Sequence, residues 1–306
     1  MRQSHPKESL ERLCALFGVT RQAYYEAATH EKKTSIADMV VLALVDKIRK
    51  DMPLIGTRKL FYLLEPELKE HGIKMGRDQL FDLLGFHGLL IRRRKRMAKT
   101  TNSHHWLKKY PDLIKDLVVD APEQLWVSDI TYIRTQQGFS YLSLITDAYS
   151  RKVVGYALYP TLEAVGCMKA LGMALASRKR ESPYTLIHHS DRGIQYCCSD
   201  YVTLLEAENI AISMTQTGSP YDNPQAERVN GTIKNEFSPN KIYRDHQEAE
   251  KEIARIIAIY NHKRPHASLD YLTPEQAHQR NGELKKRWRH YPKSTPVTGT
   301  IVLEEN

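Results

Sequence analysis

Leu125-Trp126-Val127-Ser128-Asp129-Ile130-Thr131 alternates in the manner of a β-strand, and the pattern runs on to Arg134. Val127, Asp129, Thr131 and Ile133 fall on one face of that strand. An aspartate inside such a pattern is costly, because an unpaired charge is expensive to take out of water. It is kept where it has a partner or a task. Asp129 therefore sets the two questions that decide the fold: what lies beside this strand, and which other groups converge on it.

Going outward, Gln136-Gln137-Gly138 makes a turn, and two more strands follow, Phe139 to Thr146 and Lys152 to Tyr159. A helix is expected from Leu162 to about Arg178, then a fourth strand from Tyr184 to His188. A helix near Ser199 to Glu208 leads to a short fifth strand, Ile210 to Met214. Pro224 to Phe237 and Gln247 to His262 read as helices. Three antiparallel-type strands, then helix, strand, helix, strand, helix, helix is the element order of an RNase H-like α/β fold with a mixed five-stranded sheet. In that order the first and fourth strands lie side by side.

That adjacency gives Asp129 company. Asp191 follows the fourth strand in His188-His189-Ser190-Asp191-Arg192-Gly193. If the two strands are parallel, both aspartates lie near the carboxyl ends, where α/β sheets build sites. Glu227 sits in the first turn of the helix opened by Asn223, a plausible N-cap, and Pro224 at its first position. Lys234 is seven residues on, about 10 Å further along the same helix face, with Asn230 between them. Singly, each has an ordinary reading: a satisfied buried polar group, a turn residue, charges on a helix surface. His188 and His189 are read as structural, Cys197-Cys198 as packing at a helix start, Trp126 as core, and Gly218-Ser219-Pro220-Tyr221 as a loop beside the site.

The amino-terminal third is helical. Leu10, Leu13, Cys14 and Phe17 line one face of a first helix, Gly18-Val19 breaks it, and Thr20 opens a second carrying Arg21. Ile36 to Lys50 is a further helix with Met39, Val40, Ala43, Leu44 and Ile48 as its apolar side. Gly56-Thr57 starts another (Arg58 to Leu64), and Gly76 precedes a third (Arg77 to Leu84). Both blocks suit helix-turn-helix modules, with Arg77 leading a recognition helix, and equally suit ordinary helical hairpins. Arg92, Arg93, Arg94, Lys95 and Arg96 follow as a basic run suited to phosphates. The expected division is 1–30 and 31–91 as helical modules, 92–118 as basic linker, 119–280 as catalytic core and 281–306 as basic tail.

Composition agrees. The 306 residues carry a net charge of +9 and a pI of about 9.2, a balance that favours polyanionic partners through counterion release. Cys14, Cys167, Cys197 and Cys198 form no CxxC pair, which argues against a zinc finger and for a reducing cytoplasm. No apolar run approaches the roughly 18 residues of a membrane span.

Taken together the motifs are specific. The stretches around Asp129 and Asp191, with Asp222-Asn223-Pro224-Gln225-Ala226-Glu227, resemble the triad motifs of the DDE transposase and retroviral integrase superfamily. The 35 residues between Asp191 and Glu227 match that family's spacing, and Lys234 falls where its following basic residue does. Tyr260-Asn261-His262-Lys263-Arg264-Pro265-His266, Ser268-Leu269 and Thr273-Pro274 resemble the end of its core, and Ile55-Gly56-Thr57-Arg58-Lys59-Leu60 its preceding helix-turn-helix. The nearest likeness is to the OrfB-like integrase proteins of bacterial insertion sequences of the IS-three type.

The resemblance implies an integrase catalytic core whose Asp129, Asp191 and Glu227 hold two Mg²⁺ ions (Mn²⁺ able to substitute) and cut and rejoin DNA. It implies DNA contacts from Lys234, Asn230, Arg21, Arg77 and Arg92 to Arg96, with element ends and target DNA as substrates. A homodimer or larger assembly on DNA, an upstream OrfA-like partner protein, no membrane, and a bacterial cytoplasm close to the nucleoid complete the expectation. Two other readings stay open: a purely hydrolytic nuclease, and a regulatory DNA-binding protein whose RNase H-like part is a scaffold.

Overall fold

The computed structural model describes residues 9–22, 25, 36–91, 107–178, 184–216 and 223–287. The chain forms two compact units, one of residues 1–97 with 235–239 and one of 98–234 with 240–306. The run Arg92 to Arg96, the loop 218–221 and most of the tail 281–306 lie outside the described residues.

In the first unit, α1 spans Leu10–Leu16, with Ser9 as its cap, accepting from the Arg12 backbone N–H at 3.3 Å. Arg21 is exposed and helical. Helix α2 spans Ile36–Asp51, α3 Thr57–Glu70 and α4 Arg77–Phe86. The expected apolar side of α2 is only partly right: Val40, Leu44 and Ile48 are half-buried, but Ala43 is exposed. Val41 and Val45 are buried, whereas Met39 is 53% exposed. The helix meets its neighbours through a narrow i, i+4 seam, so a broad apolar stripe is a poor guide to what it buries. Helix α3 also outruns its expected end at Leu64. Pro66 gives up one backbone hydrogen bond, yet the turn beyond it is retained because Leu68 is buried alongside Leu60 and Leu64.

The second unit holds the sheet. Its strands are β1 (Leu125–Thr135), β2 (Gly138–Asp147), β3 (Val153–Tyr159), β4 (Ile187–Ser190) and β5 (Ala211–Met214), in spatial order β3-β2-β1-β4-β5. β1 is antiparallel to β2 and parallel to β4, so the RNase H-like expectation holds. β4 begins three residues later than its apolar pattern suggests. It pairs only with the start of β1, from Leu125↔Ile187 to Val127↔His189, and Leu186 just before it is core.

Helices α5 (Ala164–Ser177), α6 (Ile194–Cys197) and α7 (Ser199–Ala207) pack with the sheet in one apolar cluster, which includes Trp126, Ile145, Cys167, Leu171, Tyr201 and Met214. Helices α8 (Pro224–Thr232) and α9 (His246–His262) contact β1 and other strands. A short α10 (Pro274–Ala277), capped by Thr273, packs on α9. The expected single helix from Pro224 to Phe237 is two pieces, because α8 widens into a π-turn over Ile233–Phe237.

His188 lies inside this core. Its Nε2 is shared by the Ser128 hydroxyl at 2.7 Å and the Tyr201 hydroxyl at 2.9 Å. Burial, then the neighbouring His189, pushes its pKa down to about 3. An unfolded histidine titrates near 6.5, so His188 contributes stability that is full above that pH and is lost as pH falls toward 3. We expect His188→Gln to lower the urea midpoint at pH 7 but to flatten its decline between pH 6 and pH 4. An unchanged acid slope would place the acid sensitivity elsewhere.

Candidate active site

Asp129 sits on β1 opposite Leu144 of β2. The strand is buried from Leu125 to Ser128 and then opens, so the Asp129 carboxyl keeps part of its surface toward solvent. On the other side, the parallel pairing Val127↔His189, carried two residues on, brings Asp129 level with Asp191 just past the end of β4. Asp191 is fixed by its own turn: Oδ1 accepts the Gly193 backbone N–H at 2.9 Å. A Cβ on Gly193 would meet that same oxygen at 3.0 Å and Gln195 Oε1 at 3.1 Å, so a side chain there would press on the Asp191 carboxylate.

Helix α8 supplies the third acid. Asn223 precedes it but does not cap it, contrary to expectation. Its Nδ2 instead donates to the Ser128 carbonyl at 2.9 Å, tying the start of the helix to the strand beside Asp129. Ala226 packs with Leu125, Val127 and Ala148. With that face down, Glu227 is left exposed in the first turn, where a negative charge suits the positive end of the helix.

Asn230 and Lys234, both expected to contact DNA, each hydrogen-bond a residue of β1. Asn230 Nδ2 donates to Asp129 Oδ2 at 2.7 Å, while its Oδ1 is buried with no partner among the described residues. Lys234 Nζ donates to Thr131 Oγ1 at 3.1 Å. Burial lowers the Lys234 pKa, partly offset by the Asp129 charge. The π-turn that begins at Ile233 accounts for its departure from the simple two-turn projection. Arg77, in the other unit, pairs with Asp78 at 2.7 Å.

The electrostatics centre on Asp129. The Asp129 pKa is raised from 3.8 to about 7. Burial is the largest cause, then the charge of Asp191 and more weakly that of Glu227, against hydrogen bonds from Asn230 and the Ile130 backbone. The charges of Asp191, from the turn, and Glu227, from the helix, thus both reach Asp129 on the strand. Among the described residues, however, no three His, Cys, Asp or Glu side chains stand close enough together to ligate one ion. Sequence reading missed the anchoring use of Asn223 and the contact of Arg151 with Gln225. Both are long-range pairs with no local signal.

Two family models described as "Integrase core domain" match residues 119–220 and 208–274. The chain is 38% identical over 276 residues to the "Insertion element IS600 uncharacterized 31 kDa protein" of Shigella sonnei, covering 87% of this chain and 99% of that one. It is 29% identical to "Transposase InsF for insertion sequence IS3fB" of Escherichia coli, over 91% of this chain and 97% of the relative. With "Transposase for insertion sequence element IS629" of Shigella sonnei it shares 31% identity over 72% of this chain and 73% of the other. A mixed sheet with parallel β1 and β4, an integrase core and full-length likeness to insertion-sequence proteins agree: the chain belongs to the DDE transposases of the IS-three family.

Proposed function

We propose that Asp129, Asp191 and Glu227 are the catalytic carboxylates of this transposase and together hold two Mg²⁺ ions, with Mn²⁺ able to replace them. The observation that carries the reading is the Asp129 carboxyl, driven up to about 7 by burial and by the charges of Asp191 and Glu227. The three acids outnumber the one cation described beside them, Lys234, and their donors are hard oxygens, the set Mg²⁺ prefers. When bound, the two ions supply activation of the attacking oxygen and stabilisation of the departing one.

The rest falls to the chain. Asn230 holds one Asp129 oxygen, the turn at Gly193 holds one Asp191 oxygen, and Asn223 fixes the start of the helix that bears Glu227. Water attacks the phosphodiester at the element end; the P–O3′ bond breaks, the phosphate stays on the flanking strand and the 3′-hydroxyl of the element is released. That hydroxyl then attacks a target phosphodiester, forming one P–O bond and breaking another. Lys234, Arg21, Arg77 and Arg92 to Arg96 contribute positive charge for DNA. Because two ends must be joined, the working form is a dimer or larger on DNA, aided by an upstream OrfA-like protein. The expected place of work is the nucleoid; no helix among the described residues is long and apolar enough to cross a membrane.

The test is cleavage and joining of a labelled element-end duplex with Mg²⁺, comparing wild type with Glu227→Gln. Loss of about a hundredfold or more in rate is expected, with DNA binding intact, since one ligand charge is removed and the side-chain shape kept. Equal cutting by both proteins would break the carboxylate assignment. Cleavage without joined product would make the protein a nuclease.

A further inference from the structure

We infer that Arg151 is a positioning residue for Glu227, acting through Gln225; the inference rests on the metal-site reading above. Arg151 lies in the turn between β2 and β3, and its backbone takes the left-handed conformation, φ 64°, unusual for a residue with a side chain. The turn is over-determined. Asp147 Oδ1 accepts both the Ser150 N–H at 2.7 Å and the Ser150 hydroxyl at 2.6 Å, and the Arg151 N–H donates to the Asp147 carbonyl at 2.9 Å. Beyond it, Asn261 clamps Val153, accepting from its N–H at 3.0 Å and donating to its carbonyl at 2.9 Å.

From this fixed base the Arg151 guanidinium runs inward. Its Nη1 donates to the Ala148 carbonyl at 2.5 Å and to Gln225 Oε1. Among the described residues no carboxylate lies within ion-pair distance of it, and burial lowers its pKa. A half-buried cation with two neutral acceptors is a costly way to fill space. A Met or Leu would fill the same volume without a charge to desolvate. What the guanidinium supplies, and an apolar side chain cannot, is a rigid reach from the strand turn to the first turn of α8.

The helical wheel shows what that reach does. At about 100° per residue, Glu227 and Asn230 lie roughly 60° apart on one side of α8, and Gln225 lies on the other. Asn230 is gripped by Asp129 and Asn223 by the Ser128 carbonyl. The helix has no side-chain cap of its own. The strand-side grips and the packing of Ala226 hold one side of α8, and any roll left about its axis carries the exposed Glu227 away from the aspartates. Arg151, holding Gln225 from the far side, stops the roll.

The experiment is Mn²⁺ binding to the full chain, read by calorimetry, for wild type, Arg151→Ala, Gln225→Ala, the double variant, Gln225→Glu and Glu227→Gln. Outer partners of metal ligands typically set affinity by 10–100-fold. We expect about a tenfold weaker Kd for Arg151→Ala and for Gln225→Ala, and no further loss in the double variant, because both remove one contact. Gln225→Glu restores the grip as an ion pair and binds Mn²⁺ as wild type does. Wild-type affinity in both single variants, or additive losses in the double, overturns the inference. If Arg151→Ala does not fold, Gln225→Ala and Gln225→Glu decide alone. Undiminished Mn²⁺ binding by Glu227→Gln would instead bring down the metal-site reading itself, a separate result.

Discussion

Asp129→Asn should abolish strand cleavage and at the same time make the metal-free protein more stable at pH 8. The two effects have one cause. Asp129 is half-buried and its carboxyl is pushed up by burial and by the charges of Asp191 and Glu227, so its charge is hard to hold without a cation and hard to replace once one is bound. On the functional side, exchanging it for the isosteric amide removes a ligand charge where the field is least screened, and a rate loss of about a thousandfold is expected. The Asn230 contact survives, because the amide oxygen of the new side chain still accepts from Asn230 Nδ2, now 2.7 Å from Asp129 Oδ2. The loss would therefore report charge and not a collapsed site.

The stability side follows from the pKa. Asp129 titrates at about 7 folded, against 3.8 for the free group. A carboxyl raised on folding favours the native state while it is protonated. That contribution is full below about pH 4, shrinks as pH climbs toward 7, and has gone above it. At roughly 1.4 kcal/mol per unit the ionised state carries a cost on the order of 4 kcal/mol, an upper figure because the side chain keeps some solvent contact. The variant should thus melt several degrees above wild type at pH 8 and level with it near pH 4. Mg²⁺ should raise the wild-type melting temperature more at pH 8 than at pH 6 and leave the variant nearly unmoved. A variant that still cleaves, or that melts with wild type at pH 8, would show that Asp129 is neither a ligand nor electrostatically strained.

How much of this is legible in the sequence depends on the range of each signal. The sheet is legible because period-two alternation and turn residues are local, and β1 to β3 lie within two residues of their expected bounds. Asp129, Asp191 and Glu227 are visible because each stands at a local landmark: mid-strand, just past a strand, first helical turn. The interactions that arrange them are not local. Asn230 reaches Asp129 across 101 residues and Arg151 reaches Gln225 across 74, and neither pairing leaves a trace in its own neighbourhood. Asn223 carries a capping signature and is diverted to the Ser128 carbonyl, a tertiary partner overriding a local preference. Similarly α2 buries Val41 and Val45 because its neighbours, and not its own periodicity, choose the seam.

Gly155→Ala is expected to be the most damaging single-methyl change in the catalytic unit. Gly155 pairs with Ile145 across β2 and β3, beneath α5. A Cβ there would run into the Ala170 carbonyl oxygen, the Ala174 Cβ at 2.9 Å and the Ala174 backbone nitrogen at 3.0 Å. Two of those three atoms are backbone, so no rotamer change relieves the clash. Either α5 lifts from the sheet or β3 bows away from it, and both open the cluster formed by Ile145, Val154, Ala170 and Leu171. Interiors pack too tightly to absorb such a shift. Overpacking commonly costs 1–3 kcal/mol; a clash with helix backbone belongs at or above the top of that range, about 3 kcal/mol or more. Urea unfolding monitored at the catalytic unit should show a midpoint lowered by more than that of Gly172→Ala on the same helix, where an added Cβ meets nothing within 4 Å. Equal midpoints for the two variants would mean that α5 rests on the sheet more loosely than this close approach implies.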